Sequence, residues 1–237
     1  MDLGLSDRVA LVTASSKGLG RATAQALVDE GASVAINARE PNRLRATAAE
    51  LGHNVLALPA DVTEADAPRR LVDATVERFG ALHVLVANAG GPPKGRALDV
   101  DDTTLEAAIN SNLLTSVRLV RAALPHMRAA GWGRICLIAS SSVKQPIPDL
   151  ATSNTARAGL WGWAKTAAQD LIDEGITLNL ACPGLHATDR VNDLGFTGRL
   201  GDPADFGRVV AFLCSQHAGF ISGTALQVDA ASTLGLL

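Results

Sequence analysis

Short apolar runs alternate along the chain with segments whose apolar positions repeat at helical spacing. Val9–Val12 is a run of four apolar residues, rich in β-branched types and too short for a buried helix, so it predicts a buried strand. From Leu19 the apolar positions follow a helical period, and Gly31 ends the predicted helix. Residues 33–37 predict a second strand. Two strands joined by a helix form a parallel βαβ unit.

The same alternation continues to the end of the chain. Further strands are predicted over residues 54–58, 83–87, 134–139, 176–182 and 224–229. Further helices are predicted over residues 63–79, 101–109, 111–128, 153–174 and 203–215. Strands that alternate with helices are typical of an α/β domain with a parallel sheet, in which ligands bind at the carboxyl ends of the strands.

The turn between the first strand and the first helix has the composition of an anion site. Residues 13–20 read Thr-Ala-Ser-Ser-Lys-Gly-Leu-Gly. The unpaired N–H groups and the positive end of a helix N-terminus attract an anion. Gly20 has no Cβ, so the backbone and a pyrophosphate can approach closely. Taken alone, the glycines are equally compatible with a tight turn in any α/β protein.

The end of the second strand predicts which dinucleotide the chain binds. A carboxylate at this position would accept hydrogen bonds from the ribose hydroxyls of NAD, but the strand continues into Ala38 and Arg39. The guanidinium is available to bind a 2′-phosphate as a charge-assisted fork, and Lys17 adds a second cation. The alternative for Arg39 is an ordinary solvated surface charge. We predict NADP(H) as the cofactor.

Composition limits the partners. The 237 residues are 47% hydrophobic and 19% charged with a net charge of −3, which favours a globular enzyme over a nucleic-acid or membrane-surface protein. No apolar stretch is long enough to span a membrane. Three scattered cysteines within apolar runs indicate reduced, buried thiols in a cytoplasmic protein and no metal site. The chain contains no tyrosine.

Three segments resemble motifs of the short-chain dehydrogenases/reductases. Residues 13–20 are similar to the family's TGxxxGxG cofactor loop, with Ala14 at the position of the first glycine. Residues 86–91 (VANAGG) resemble its NNAG segment, and residues 183–188 (PGLHAT) its PGxxxT loop. The resemblance extends from about residue 7 to 230. It implies a Rossmann-type α/β fold, a doubly wound parallel sheet with helices on both faces, in a single domain over residues 1–237.

The resemblance also implies cofactor contacts and an assembly. The implied cofactor-binding positions are Thr13, Ser15, Ser16, Lys17, Gly18, Leu19, Gly20, Arg39, Asp61, Val62, Asn88, Ala89, Gly90, Arg157, Pro183, Gly184 and Thr188. Asp61 and Val62 are expected at the adenine ring, and Asn88 is expected mainly to tie the central strands together. Helices 111–128 and 153–174 resemble those of the family's four-helix interface, which implies a homodimer or homotetramer.

The catalytic positions of the family are only partly kept. Ser140 corresponds to the catalytic serine, because it lies 13 positions before the place of the catalytic tyrosine. That place is Ser153, and Arg157 stands where the family has lysine. Asn112 corresponds to the asparagine that holds a water beside this lysine through a local helix distortion. His186, in the PGxxxT loop, occupies a position that is usually apolar.

A serine hydroxyl is a far weaker acid than a phenol, whose pKa is near 10, so Ser153 cannot replace the tyrosine. Losing a positioned general acid costs about 10²- to 10⁴-fold in rate. We therefore expect an NADP(H)-dependent oxidoreductase with altered acid–base chemistry. Ser140 polarises a small carbonyl, alcohol or imine substrate, Arg157 binds the nicotinamide ribose, and water or His186 supplies the proton. The alternatives are a non-redox lyase, dehydratase or cyclase on the same fold, or a non-catalytic NADP(H)-binding protein.

Overall fold

The computed structural model describes residues 1–192, 196 and 198–235. Within these residues seven strands form one sheet: β1 Val9–Val12, β2 Ser33–Ala38, β3 Val55–Pro59, β4 Val84–Ala87, β5 Gly133–Ile138, β6 Ile176–Pro183 and β7 Ala225–Val228. All neighbouring strands pair in parallel, in the order β3-β2-β1-β4-β5-β6-β7. The predicted doubly wound α/β sheet is confirmed.

Helices connect the strands. The α-helices are α1 Gly18–Asp29, α2 Pro41–Leu51, α3 Ala67–Phe79, α4 Asp102–Ile109, α5 Thr115–Ala130, α6 Ala151–Leu171, α7 Asp189–Asn192 and α8 Pro203–Leu213. A π-helical turn, Asn110–Leu114, joins α4 to α5. Short 3₁₀ turns follow at Ser141–Val143, Ile172–Glu174 and Gln216–Ala218. None of the helices described here is both long enough and apolar enough to cross a bilayer.

Both faces of the sheet are buried. In β1, Ala10 and Val12 belong to one apolar cluster, which also contains Phe206 of α8. Leu11, between them, belongs to a second cluster, which contains Leu119 of α5 and Leu160 of α6. Successive side chains of a strand point to opposite faces, so the two clusters are the two sides of one sheet. This arrangement explains why the strands are continuous apolar runs in the sequence.

Several element boundaries differ from the sequence prediction, and the larger differences are in the helices. The helix predicted over 63–79 begins at Ala67, because the Asp61 carboxylate accepts hydrogen bonds from the N–H and hydroxyl of Thr63 and holds a turn there. The helices predicted over 101–109 and 111–128 are joined by the π-helical turn without a break. The last turn of the helix predicted over 153–174 is 3₁₀.

Helix α2 was not predicted, although its signals are in the sequence. Glu40 caps its N-terminus by accepting the N–H groups of Asn42 and Arg43, Pro41 takes its first position, and Gly52 follows its end. The chain winds outward on both sides of β1 and β4, so a crevice opens between their carboxyl ends. The glycine-rich turn and residues 88–93 lie at this crevice.

Candidate active site

The glycine-rich turn leads directly into α1. Lys17 is the N-cap residue and has an extended backbone, and its own side chain makes no capping hydrogen bond. The first N–H groups of a helix have no partner within it, so this end offers donors and a positive dipole to an anion. Gly18 has φ +59°, a left-handed conformation that glycine adopts without strain. The local geometry is that of a phosphate-binding turn.

Two residues of this turn are buried instead of lining the groove. The Thr13 hydroxyl donates to the Asn88 carbonyl oxygen (2.7 Å) and accepts the Asn88 N–H (2.9 Å). The Ser15 hydroxyl donates to the Val12 carbonyl oxygen (2.7 Å) and accepts the Asn37 N–H (3.1 Å). Both side chains are fully buried. Their hydroxyls tie β1 to its two neighbouring strands, which positions the turn, and the cofactor contact expected of Thr13 and Ser15 stays a prediction.

Asn88 and Gly20 hold the turn against the end of β4. The Asn88 amide donates to the Ala14 carbonyl oxygen at 3.1 Å. A Cβ on Gly20 would lie 2.5 Å from that oxygen and 2.8 Å from the Asn88 amide nitrogen, so a side chain there would break the contact. Ala14 has φ +46°, so the residue that replaces the family's first glycine is in the left-handed region.

A cavity of about 540 Å³ lies beside the turn, at the carboxyl ends of β2 and β3. Three cations line it, Lys17, Arg39 and Arg43, together with the carboxylates of Glu40 and Asp61. Arg43 was not among the predicted cofactor contacts, because α2, on which it lies, was not predicted. Further residues that were predicted to contact the cofactor also line this cavity: Ser16, Asp61, Val62, Ala89 and Gly90. Their contacts with the cofactor stay a prediction.

Two of the cations that line this cavity form only long, exposed ion pairs. The Arg39 guanidinium is 4.0 Å from the Asp61 carboxylate, and the Lys17 ammonium is 3.8 Å from the Asp189 carboxylate. Exposed pairs at such distances contribute little to stability, so both cations can turn to a ligand. Hydrogen bonds from the N–H and hydroxyl of Thr63, and then the Arg39 charge, hold the pKa of Asp61 below its usual value.

A second cavity, of about 220 Å³, lies over the carboxyl ends of β5 and β6. Ser140, Ser153, Arg157 and His186 all line it. Leu19, Pro183, Gly184 and Thr188 line it as well. Both cavities are bounded by Asn88, Ala89, Gly91 and Pro92, so they are two ends of one groove.

Ser140 follows the end of β5. Its oxygen accepts the N–H of Ser142 at 3.1 Å, which fixes the side chain and leaves the hydroxyl proton to donate elsewhere. The hydroxyl therefore suits a hydrogen bond to a substrate oxygen.

The side chain of Arg157 extends from α6 and contacts both the end of β5 and the π-helical turn. One guanidinium nitrogen (Nη1) donates to the Ile138 carbonyl oxygen, and the other (Nη2) donates to Oδ1 of Asn112, each at 3.0 Å. Arg157 is only 7% exposed. Asn112 is buried in the π-helical turn, and its amide donates to the Ser111 hydroxyl at 2.7 Å. The longer arginine thus reaches Asn112 directly, where the resemblance implied a water between lysine and asparagine.

Ser153 and His186 differ in how they are held. Ser153 is 6% exposed, and its hydroxyl makes no hydrogen bond within the described part of the chain. His186 places Nδ1 3.2 Å from the Gly184 carbonyl oxygen and packs edge-to-face on Phe206, with ring centroids 5.2 Å apart. The other side of the imidazole lies against Gly201, where a Cβ would be 2.8 Å from Nε2. The imidazole of His186 is therefore packed between the backbone of Gly184 and Gly201 and the buried side chain of Phe206.

Hydrogen bonds fix the start of α6, which borders the second cavity. The Thr152 hydroxyl donates to the Pro93 carbonyl oxygen (2.9 Å), and the Asn154 amide bonds both the N–H and the carbonyl oxygen of Ile147. After the PGxxxT loop the chain forms α7, and residues 193–195 and 197 lie outside the described residues.

The three cysteines, Cys136, Cys182 and Cys214, are free and buried. Burial raises the pKa of the Cys182 thiol to about 12, although Lys144 and Arg157 pull it down. Such a thiol stays protonated and unreactive near neutral pH. No group of three or more metal-binding side chains is found among the residues that the structure describes.

A family model described as "Enoyl-(Acyl carrier protein) reductase" matches residues 13–233. The chain belongs to the short-chain dehydrogenase/reductase family. Among curated members of the family, (2S)-[(R)-hydroxy(phenyl)methyl]succinyl-CoA dehydrogenase subunit BbsD of Thauera aromatica is 33% identical over 95% of this chain and 96% of its own. The 3-oxoacyl-[acyl-carrier-protein] reductase FabG of Haemophilus influenzae is 33% identical over 95% of this chain and 98% of its own.

Solved short-chain dehydrogenase/reductase structures share the fold over its whole length. A structure of L-sorbose reductase from Gluconobacter frateurii, complexed with NADPH and L-sorbose, has a TM-score of 0.91 at 30% identity and covers 97% of each chain. The chain is therefore an oxidoreductase of the short-chain dehydrogenase/reductase type.

Proposed function

We propose that the chain is an NADP(H)-dependent oxidoreductase with altered acid–base residues that acts on a small carbonyl, alcohol or imine. One observation carries the proposal: the cavity with three cations and the cavity with Ser140 are two ends of one groove. A dinucleotide laid along this groove has one end among the cations and the other beside the serine. NADP(H), when bound, supplies or accepts the hydride.

The preference for the phosphorylated cofactor rests on charge. Arg39, Lys17 and Arg43 line the end of the groove near β2, and a guanidinium binds a phosphate through two parallel hydrogen bonds. The L-sorbose reductase complex with NADPH supports the same choice by similarity. Fluorescence titration tests it: we expect NADPH to bind more tightly than NADH, and equal affinities would contradict the preference.

The roles of the catalytic residues follow from how each is held. Ser140 donates its hydroxyl proton to the substrate oxygen, and this hydrogen bond strengthens as negative charge develops there. Arg157 keeps a permanent positive charge beside the same cavity. We propose that water, and not His186, donates the proton to the substrate, because the imidazole is packed tightly between Gly184, Gly201 and Phe206.

The alternatives without redox chemistry make a different prediction. A lyase, dehydratase, cyclase or non-catalytic binder on this fold would bind NADP(H) without consuming it. We expect turnover of small ketones or alcohols to change the absorbance of the reduced nicotinamide. Product formed without that change would favour a non-redox enzyme, and no product across the panel would favour a binding protein.

We also propose a homodimer or homotetramer in the cytoplasm, assembled through α5 and α6. Trp161 and Trp163 of α6 are partly buried against the chain's own core, so only part of each indole ring is free for a partner subunit. The proposal is supported by the commonness of symmetric assemblies and, for location, by three free buried cysteines. A monomer mass by light scattering at micromolar concentration would overturn the assembly.

A further inference from the structure

Two serine hydroxyls border the substrate-side cavity. Ser140 follows β5 and Ser153 lies in the first turn of α6, and both line the same space of about 220 Å³. Pro92, Ile138 and Leu150 add apolar side chains to its lining. Pockets that hold drug-sized ligands have volumes of roughly 300–1,000 Å³, so this cavity suits a small molecule with few polar groups.

The Ser153 hydroxyl makes no side-chain hydrogen bond within the residues that the structure describes. Ser153 is only 6% exposed, and a hydroxyl at that depth is normally bonded to protein, water or ligand. Its neighbours Thr152 and Asn154 bond Pro93 and Ile147, so the backbone on both sides of Ser153 is fixed. A fixed, buried hydroxyl that borders a cavity is a preformed contact for a polar group of the substrate.

The contact that Ser153 offers is neutral. The charged side chain in the same lining, Arg157, already bonds the Ile138 carbonyl oxygen and Asn112, so its guanidinium is engaged by the protein. The described residues that line the cavity include no lysine, aspartate or glutamate. A serine hydroxyl both donates and accepts a hydrogen bond, and its natural partner is a second hydroxyl.

The length of the side chain at position 153 decides which substrate atom it meets. A tyrosine there would carry its hydroxyl one aromatic ring farther from the α6 backbone than Ser153 does. The Ser153 oxygen therefore stays beside the helix and leaves the reacting oxygen to Ser140, whose hydroxyl proton is free to donate. In so small a cavity, a group that reaches Ser153 lies only a bond or two from the reacting carbon.

We propose that Ser153 binds a hydroxyl group on the carbon next to the reacting carbon, so that the substrate is a small, neutral 2-hydroxy ketone or, in the reverse direction, a 1,2-diol. Ser140 bonds the reacting oxygen, and the second hydroxyl of the substrate fills the space that a phenol would take. The inference rests on the proposed function, because it names the substrate class of that site.

Binding without turnover tests the proposal. Hydroxyacetone and butanone are neutral ketones with equal numbers of non-hydrogen atoms, but only hydroxyacetone has a hydroxyl next to its carbonyl. Each is titrated into the protein with and without saturating NADP⁺, which has no hydride to give, and amide NMR shifts report binding. We expect hydroxyacetone to bind about fivefold or more tightly, because the methyl group of butanone leaves the buried Ser153 hydroxyl without a partner. Equal affinities, tighter butanone or no measurable hydroxyacetone binding would overturn the proposal.

Variants locate the bound hydroxyl. Ser153→Ala should remove the preference for hydroxyacetone, and Ser153→Thr, which keeps a hydroxyl, should retain it. Gly162→Ala is the matched control on the same helix: a Cβ there meets nothing within 4 Å, so the preference should persist. A preference that survives in Ser153→Ala but is lost in Ser140→Ala would place the substrate hydroxyl on Ser140 and refute the assignment. If Ser153→Thr does not fold, Ser153→Ala and the control still decide.

The proposed function and the hydroxyl site fail separately. Failure of NADP⁺ to bind, with hydroxyacetone still preferred by the cofactor-free protein, would remove the cofactor claim and leave the hydroxyl site standing. Tight NADP⁺ binding without any preference for hydroxyacetone would do the reverse.

Discussion

The two ends of the groove are built in different ways. Around the glycine-rich turn, small side chains and backbone groups interlock: Thr13 and Ser15 bond main-chain groups of neighbouring strands, and Asn88 bonds the Ala14 carbonyl oxygen. At the α6 end, one long charged side chain makes the key contacts, since Arg157 reaches Ile138 and Asn112.

This difference explains why the resemblance is strong at one end and weak at the other. A turn that depends on backbone geometry tolerates few replacements, so its motif identifies the fold and the cofactor site. Side-chain chemistry at the other end can change without altering the fold. The sheet order and the cofactor cavity therefore say little about how a proton is handled in the cavity that contains Ser153.

The largest effect is expected from filling the space at Gly20. A Cβ there meets the Ala14 oxygen at 2.5 Å, so Gly20→Val should destabilise the fold by about 3 kcal/mol through overpacking and weaken NADPH binding by about 100-fold. Thermal unfolding and a fluorescence titration measure both. Gly162→Ala is the control, since nothing lies within 4 Å of a Cβ at Gly162. If Gly20→Val binds NADPH as tightly as the unaltered chain, the interlocked turn is not what shapes the cofactor end.

The two serines should respond very differently to truncation. Ser140→Ala removes a hydrogen bond that strengthens with charge on the substrate oxygen, so kcat should fall by about 10²-fold. Ser153→Ala breaks no proton path, so it should lower kcat by less than about tenfold. Steady-state kinetics on both variants give the order. A severe loss in Ser153→Ala with a mild one in Ser140→Ala would mean that Ser153 is the chemical residue.

Arg39 allows a test confined to the cofactor end. Arg39→Ala should weaken NADPH by about tenfold through the loss of a charge-assisted fork and leave NADH nearly unchanged. Ala38→Asp should shift the preference toward NADH by placing a carboxylate against the 2′-phosphate. Parallel titrations of both variants with NADPH and NADH measure these affinities. An unchanged NADPH affinity in Arg39→Ala would mean that Arg39 is an ordinary surface charge without a role in cofactor binding.

The smallest effect is expected at Ala14, the non-glycine residue of the turn that has a positive φ. Ala14 has φ +46°, where a Cβ is unfavourable, so Ala14→Gly relieves strain in the folded state. The added freedom of glycine in the unfolded chain offsets part of the gain, leaving about 0.5–1 kcal/mol of net stabilisation. Thermal unfolding should show a melting temperature raised by roughly 1–4 °C. A lowered melting temperature would mean that the Ala14 side chain contributes packing that outweighs the strain.

The strands and most helices could be predicted because each is a local pattern. Every predicted strand overlaps an observed strand, as short apolar runs buried on both faces require. The start of α3 was misplaced because a hydrogen bond between Asp61 and Thr63 overrides local helix signals. Helix α2, which carries Arg43, was not predicted, because its apolar positions are few and its signals are confined to the cap residues at its two ends.

The site was harder to predict, since its contacts join distant parts of the chain. The sequence aligned Asn112 and Arg157 with family positions, but only the fold shows that the two side chains bond each other across 45 residues. Thr13 and Ser15 belong to the cofactor motif, and only their burial shows that they position the turn. The packing of His186 against Phe206 likewise depends on α8, which sequence spacing alone does not bring near.

We infer that the cofactor end of the groove is complete and that the general acid at the other end is missing. The direct measurement is single-turnover oxidation of bound NADPH by small neutral ketones, in the unaltered chain and in a Ser153→Tyr/Arg157→Lys double variant. We predict NADPH affinities that agree within about threefold and a rate that rises by about 10²-fold or more in the variant, because a positioned phenol contributes that much. A double variant that folds and binds NADPH equally well, yet oxidises it no faster, would contradict the account.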